Sequence, residues 1–585
     1  MAINMDIFSF ITLFGGLAFF LYGMNVMSGG LEKVAGGRLE VILKKMTSNP
    51  FKSLLLGAGI TVAIQSSSAL TVMLVGLVNS GIMDLSGTIG VIMGSNIGTT
   101  LTAWILSLAG IEGNSIFLKL LKPEAFSPIF AFVGIVLVMV SKKAKRRDAG
   151  KIMIGFSVLM YGMQLMSGAV SPLADMPEFS SMLTAFENPI LGVIVGAVFT
   201  GIIQSSAASV GILQALSLTG SITYGMAIPI IMGQNIGTCV TALLSSIGVN
   251  RNAKRVSVIH ISFNLIGTVI CLVIFYGINY FVNFAFVSKS ISPVAIAFVH
   301  TVFNVVTTLI LLPFTKQLEK LAKVVIRGED GKGEVVMLDE RLLSTPGVAI
   351  ARCKELTVEM ADMAKTSFQK SMELVFKFDE AAAEKIDDDE NTTDMYEDNL
   401  GSYLVKVSRK SLSVEDGHLI SNLLLTIGDI ERIADHASNM VKTAREIKDK
   451  NIKFSDDAEQ EIKSVSSAVS EILDLTFEAF KNNDLSIAKR IEPLEQVIDK
   501  LNHKLKNMHI SRLCQGECTI EMGFIFNDLL TNYSRVADHC SNIAVCLIQI
   551  ADDSFDTHEY LNNMKSHGDY SFDEMYKMYK IKYNA

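Results

Sequence analysis

Nine apolar stretches mark the first 315 residues, at 8–30, 53–82, 87–109, 129–141, 152–170, 190–220, 222–248, 256–287 and 293–313. A bilayer crossing takes roughly 20 apolar residues, so all but 129–141 are long enough without their flanks. The apolar run at the N-terminus is preceded by no Lys or Arg, which fits a first membrane helix better than a secretory signal. Beyond residue 345 the pattern changes to apolar positions at helical spacing with polar faces between them. Ser344-Thr345-Pro346 reads as a helix start, with Thr at the cap and Pro in the first helical position. Breaks near 376–380, 412–416, 451–455, 482–484 and 514–518 then predict roughly six helices up to residue 552. Strands leave no clear signal, so the expected class is all-α, a polytopic membrane part followed by a soluble helical part.

The membrane part is written twice. Gln65-Ser66-Ser67-Ser68 and Gly94-Ser95-Asn96-Ile97-Gly98-Thr99 return as Gln204-Ser205-Ser206-Ala207 and Gly233-Gln234-Asn235-Ile236-Gly237-Thr238, at a constant offset of 139 residues. The same offset carries Tyr22-Gly23-Met24 onto Tyr161-Gly162-Met163 and Asn49-Pro50 onto Asn188-Pro189. Amide and hydroxyl side chains are costly in a bilayer unless something polar satisfies them. Small residues alone would serve helix packing, but packing does not call for Gln and Asn at matched sites. Paired polar clusters in corresponding places of two repeats point to a transporter's substrate site.

Orientation follows from Lys and Arg. The connecting segments 31–52, 141–151 and 249–255 hold five, six and three of them, whereas 110–128, 171–189 and 288–292 hold two, none and one. Placing the basic segments in the cytoplasm puts the N-terminus outside and residue 316 inside. The chain then enters 53–109 from inside and leaves it outside, although that region has two apolar runs. One run must turn back, and 53–82, with its polar motif in the middle, is the candidate for a re-entrant hairpin. The same parity applies to 190–248. The repeats, about 8–141 and 147–280 with a last helix at 293–313, are thereby expected to be inverted.

Charge separates the two parts. Of 51 Lys+Arg and 59 Asp+Glu in 585 residues, 17 and 10 fall in 1–315, leaving 34 and 49 for the rest. Mean hydropathy is +0.39. The expected divisions are a membrane domain 1–315, a linker 316–345, a helical domain 346–552 and a tail 553–585. The acidic second part argues against nucleic acid as a partner. Five of the seven cysteines lie there without a disulfide pattern, as suits a reducing cytosol.

The apolar runs are nearly free of ionisable residues, apart from Asp84, His260 and His300. That leaves no carboxylate relay for protons and no fixed cation for an anion. Gln and Asn carbonyls are hard oxygen ligands suited to a small cation such as sodium. Ser hydroxyls and half-helix N-termini can receive an oxyanion. A cation-coupled anion symporter fits this inventory. No phosphate-binding Gly-x-x-x-x-Gly-Lys loop and no nucleophile elbow are present, which argues against ATP drive and against an enzyme. His260-x-x-Phe263-Asn264 is echoed by His300-x-x-Phe303-Asn304. Interhelical hydrogen bonding is the expected role of that echo, with a pH-sensing or proton-coupled role as the alternative.

The doubled Gln-Ser-Ser and Gly-x-Asn-x-Gly-Thr motifs resemble those of the type II sodium–phosphate cotransporter family, in its bacterial form with a C-terminal PhoU-like domain. The resemblance implies that sodium and inorganic phosphate bind between two inverted repeats. Carried over by motif, the contacting residues would be Gln65, Ser66, Ser67, Ser68, Asn96, Thr99 and Thr100, with Gln204, Ser205, Ser206, Asn235 and Thr238 from the second repeat. Ala207 stands where the first repeat has Ser68, so the halves cannot offer identical ligands.

The helical part has its own repeat. Arg432-x-x-Asp435-His436-x-x-Asn439 recurs as Arg535-x-x-Asp538-His539-x-x-Asn542 at an offset of 103, which predicts two tandem three-helix bundles. The motif resembles that of PhoU proteins, where acidic faces gather metal ions. Glu431, Asp435, Asn439, Asp538 and Asn542 are the candidate ligands, against a simpler reading as a buried Arg–Asp pair that fixes the bundle. No cofactor is expected beyond sodium as coupling ion and a metal in this domain. The expected partners are phosphate, sodium and the lipid bilayer, with a homodimer or a cytoplasmic regulatory protein as further candidates. A bacterial plasma membrane is the expected location, with the C-terminal domain in the cytoplasm. Carriage of another oxyanion, phosphate export, and phosphate sensing remain as alternatives to sodium-coupled uptake.

Overall fold

The computed structural model describes residues 7–35, 49–110, 123–170, 188–328, 338–410, 412–552 and 570–585. The chain forms two compact units that divide chiefly at Ala349/Ile350. Helices dominate both, and a single isolated bridge, Thr223 to Ser290, is the only β-type pairing among the described residues.

The first unit holds α1 (Ile7–Ala35), α2 (Pro50–Ile64), α3 (Ser67–Asn79), α4 (Leu85–Ser107), α5 (Pro123–Val140), α6 (Ala144–Val170), α7 (Pro189–Ile203), α8 (Ser206–Ser217), α9 (Tyr224–Gly237), α10 (Cys239–Ser245), α11 (Arg251–Val282), α12 (Pro293–Leu311) and α13 (Thr315–Val325). Among the described residues, six helical stretches are long and apolar enough to cross a membrane. Phe8, Phe132, Ile202, Phe281 and Leu309 are among many large apolar side chains left exposed on the helices of this unit. Such a surface suits lipid rather than water, and the chain is a membrane protein.

The runs 53–82 and 190–220 are each broken where the polar motif lies, into α2 and α3 and into α7 and α8. At 15, 13, 15 and 12 residues, none of these four reaches the length of a full crossing. Asn49 and Asn188 cap α2 and α7 from the same place in each repeat, accepting from the N–H groups two and three residues on, with Pro50 and Pro189 at the first helical position.

Packing repeats as well. A Cβ added to Gly94 would lie 1.9 Å from the Leu54 carbonyl oxygen, and one added to Gly233 would lie 2.0 Å from that of Val193. Main chain therefore meets main chain where α2 crosses α4 and where α7 crosses α9. Gly23 and Gly162 make α1 and α6 approach in the same way, their added Cβ atoms falling 2.3 Å from Leu159 N and 2.4 Å from Phe20 N.

The stretch 316–345, expected as a linker, carries structure of its own. Arg255, 2% exposed, donates to the carbonyls of Ile326 and Gly328 just beyond α13. A single 3₁₀ turn, Glu340–Ser344, belongs to the first unit and packs on α3.

The second unit contains most of α14 (Pro346–Leu374), then α15 (Glu380–Ser408), α16 (Val414–Asp449), α17 (Asp456–Asn482), α18 (Ile491–Cys514), α19 (Ile520–Asp552) and α20 (Tyr570–Tyr583). The gaps between α14 and α19 fall at the five predicted breaks. α15 lies on α16, α17 and α18 lie on α19, and α16 joins the two groups by packing on α19. Of the expected tail 553–585, residues 553–569 lie outside the described residues, and the rest is α20 against α18.

Candidate functional site

Each Gln-Ser-Ser motif sits at a helix break whose geometry it creates. Gln65 and Gln204 end α2 and α7 in the left-handed region, at φ 53° and 58°. That conformation is uncommon for a residue with a Cβ, and here it occurs at the same point of both repeats. The next residues, Ser66 and Ser205, are extended and cap α3 and α8. Ser66 Oγ accepts from Ala69 N at 3.1 Å and Ser205 Oγ from Ala208 N at 3.2 Å. A hydroxyl that accepts in this way still has its own proton to donate. Each break thus offers an O–H donor beside a helix N-terminus, an arrangement suited to an oxyanion.

Gln65, Ser66 and Ser205 line one cavity of about 390 Å³, along with Met24, Asn25 and Ser28 of α1 and with Ser344 and Thr345. Gln65 is buried; its Nε2 donates to the Val62 carbonyl at 2.7 Å and its Oε1 accepts from Thr102 Oγ1 at 2.8 Å. Gln204 differs, being exposed and not among the cavity's lining residues. Ser67 and Ser206 are buried in the first turns of α3 and α8, and Ser68 is partly exposed.

The Asn and Thr residues are buried and do not line the cavity. Asn96 donates to Asn264 Oδ1 at 3.1 Å, and Asn235 donates to Asn304 Oδ1 at 2.6 Å. His300 Nε2 lies 3.3 Å from Asn235 Oδ1. The asparagines of the His-Asn echo in α11 and α12 therefore meet the two motif asparagines one for one in interhelical hydrogen bonds, and of the two histidines His300 joins them. Thr99, Thr100 and Thr238 bond their hydroxyls to carbonyls of their own helices. Thr61 with Ser95, at 3.0 Å, and Thr200 with Ser209, at 2.8 Å, add buried links within each repeat.

In the second unit the candidate metal ligands do not converge. Glu431 and Asp435 share a face of α16 with Arg432, at 3.5 and 4.0 Å. Burial and the neighbouring carboxylates Glu397, Asp435 and Asp394 raise the pKa of Glu431, which Arg432 opposes. Asn439 accepts from Lys442, Asp538 pairs with Arg535, and Asn542 donates to Asp429. Among the described residues no group of three or more His, Cys, Asp or Glu side chains is placed to hold a metal ion. The Arg–Asp pairs are not buried either; the Arg432 and Arg535 side chains are 61% and 64% exposed. Within the α16–α19 packing that joins the halves of this unit lies a crossed pair. His436 Nδ1 lies 2.8 Å from Asn532 Oδ1, and His539 Nδ1 lies 2.9 Å from Asp429 Oδ1. The offset of 103 maps Asp429 onto Asn532 and His436 onto His539, so the signal was present in the sequence.

Comparison with known proteins agrees with both halves. A family model described as Na+/Pi-cotransporter matches residues 19–168 and, again, 158–303. A model of the PhoU domain matches 357–444 and 462–547. YjbB of Salmonella typhimurium, named as a proposed inorganic phosphate export protein, is 24% identical over 94% of this chain and 99% of its own. The sodium-dependent phosphate transport protein 2A of Rattus norvegicus is 31% identical over 22% of this chain and 20% of its own. A PhoU homologue of the phosphate-specific transport system in Thermotoga maritima is 22% identical over 34% of this chain and 87% of its own.

Proposed function

Since the chain belongs to the Na+/Pi-cotransporter family, in a form that carries PhoU domains, we propose that it moves inorganic phosphate across the plasma membrane together with sodium. The observation that carries this reading is the cavity where Gln65 and Ser66 of one repeat meet Ser205 of the other. Two serine hydroxyls with protons to donate, beside two helix N-termini, suit a phosphate oxyanion. Amide and carbonyl oxygens around the breaks suit sodium, whose charge offsets that of the anion where no Lys or Arg does so. In this reading Asn96, Thr99, Thr100, Asn235 and Thr238 support the site through their buried hydrogen bonds, and Gln204 serves as the second repeat's joint.

The repeats are inverted and α2–α3 and α7–α8 are re-entrant hairpins in this proposal. It is supported by the four short helices, the matched glycine crossings and the Lys/Arg distribution. The same distribution supports a cytoplasmic PhoU-like half, which in this proposal regulates flux. Deleting 350–585 should then leave sodium-dependent flux measurable at an altered rate; its complete loss from a correctly inserted protein would remove the regulatory role.

Radiolabelled phosphate flux into proteoliposomes tests the main reading. Flux should depend on an inward sodium gradient and fall when choline replaces sodium. Phosphate flux indifferent to sodium would refute the coupling. Phosphate binding without flux would favour a sensor. Export is a second reading, favoured by the relative that spans nearly the whole chain and is named for it. Flux that proceeds only from the face bearing the PhoU-like half would support export over uptake.

A further inference from the structure

The cavity has a wall that neither repeat provides. Asp339, 2% exposed, accepts from Nδ2 of Asn79, the last residue of α3, at 2.6 Å. Arg341 donates from Nε to the Ser245 carbonyl at 2.6 Å and from Nη2 to the Ile247 carbonyl at 2.7 Å, satisfying groups at the end of α10. Its Nη1 also meets Asp339, at 3.1 Å. Leu342 is fully buried beside Gly76, where an added Cβ would lie 3.0 Å from Leu342 Cδ2. These contacts strap Asp339–Thr345 onto the first unit.

Thr345 stands at the end of the strap and lines the cavity with Gln65, Ser66 and Ser205. It precedes α14 and was expected to cap it with its side chain. Instead its backbone carbonyl takes the N–H groups of Val348 and Ala349, at 3.0 and 3.2 Å. The hydroxyl is left over. Thr345 is 3% exposed, and its Oγ1 has no hydrogen-bond partner among the described residues. A buried hydroxyl without a partner is unfavourable, and a ligand in the cavity would supply the missing bond.

We propose that Thr345 is a substrate-contacting residue, its hydroxyl adding to those of Ser66 and Ser205 around the oxyanion. This rests on the reading of the cavity as the phosphate site. It makes the strap Asp339–Thr345, near the end of the first unit, part of the binding site as well as of the packing. A bound anion would hold the strap in place, and a loosened strap would weaken the anion's hold.

The test is phosphate binding to the purified full-length protein in sodium chloride, by equilibrium dialysis with radiolabelled phosphate. Thr345→Val keeps the shape and removes the hydroxyl, Thr345→Ser keeps the hydroxyl, and Ser66→Ala serves as reference. Melting temperatures check that each variant is folded, with Thr345→Ala in reserve should the valine variant not fold. Thr345→Val should bind about 5- to 30-fold more weakly, as for loss of one buried hydrogen bond, with Thr345→Ser close to the parent. Equal weakening by Val and Ser would assign Thr345 a packing role and overturn the proposal. So would an unchanged Thr345→Val beside a weakened Ser66→Ala, which would leave the cavity reading intact. If Ser66→Ala and Thr345→Val both bind normally, the cavity is not the phosphate site and both readings fall.

Discussion

At the scale of single residues, Gln65 and Gln204 show how far a repeat can be trusted. Both hold the same strained backbone conformation, yet Gln65 is buried and bonded to Thr102 while Gln204 is exposed. Gln65→Ala should therefore cost about 1–3 kcal/mol of ion or anion affinity, roughly 5- to 150-fold, seen as a higher sodium or phosphate concentration for half-maximal flux. Gln204→Ala should change affinity by no more than about 0.5 kcal/mol, the usual range for an exposed side chain. Equal losses in the two variants would show that the second glutamine reaches the site during transport. The motifs were legible because amides and hydroxyls stand out in apolar runs. Their unequal surroundings were not, since an offset compares residue types and carries nothing about what packs over them. Thr102 and Thr345 were missed for the same reason, being polar residues outside either motif that matter only through three-dimensional proximity.

At the scale of elements, the glycine crossings and the crossed histidines each carry a consequence. Gly94 has Leu54 main chain in the place of a Cβ, whereas an added Cβ at Gly59, on the neighbouring helix, meets nothing within 4 Å. Gly94→Ala should lower the melting temperature of the detergent-solubilised protein by the equivalent of at least about 1–3 kcal/mol, the usual cost of overpacking. Gly59→Ala should be neutral or mildly stabilising, as alanine favours helix. In the second unit, burial lowers the pKa of His436, helped by His539 and Arg535 and opposed by Asn532 and Asp435. The unfolded chain then takes up its proton first as pH falls below about 6.5, so this group's contribution to stability declines from there downward. Glu431 and Asp538, whose pKa values are raised by burial, titrate in the opposite sense. Hydrogen exchange in α16 and α19, corrected for intrinsic rates, should lose protection between pH 7 and 5 less steeply in His436→Gln than in the parent. An unchanged slope would take His436 out of the pH response. The helix breaks of this unit were readable because polar and glycine-bearing turns interrupt a strong helical period. The place of the Arg–Asp pairs was not, because spacing puts them on one helix face without saying which face is covered.

For the whole molecule, the sequence divides into an apolar, basic part and a polar, acidic part, and the structure divides too, but later. The compositional change near 315 follows the end of α12, while the first compact unit continues to Ala349 because α13 and the strap pack onto it. Sidedness is open to a direct check. Single cysteines replacing Arg146 and Ser288, both exposed, should react with impermeant reagents from opposite faces of the membrane in a cysteine-free background. Labelling of both from one face would remove the topology from which the inverted repeats follow. The glycine crossings also bear on how such a molecule moves. Where main chain lies against main chain, no flexible side chains can yield as one helix slides past another, so α1 with α6, α2 with α4, and α7 with α9 behave as three stiff struts. Opening and closing would then be left to the joints at Gln65-Ser66 and Gln204-Ser205, which border the proposed phosphate site through Gln65, Ser66 and Ser205. Spin labels within one strut should keep their separation whether or not sodium and phosphate are present, and labels on either side of a joint should not. A machine built this way cannot flex without disturbing what it holds, so release would be a direct mechanical result of the motion.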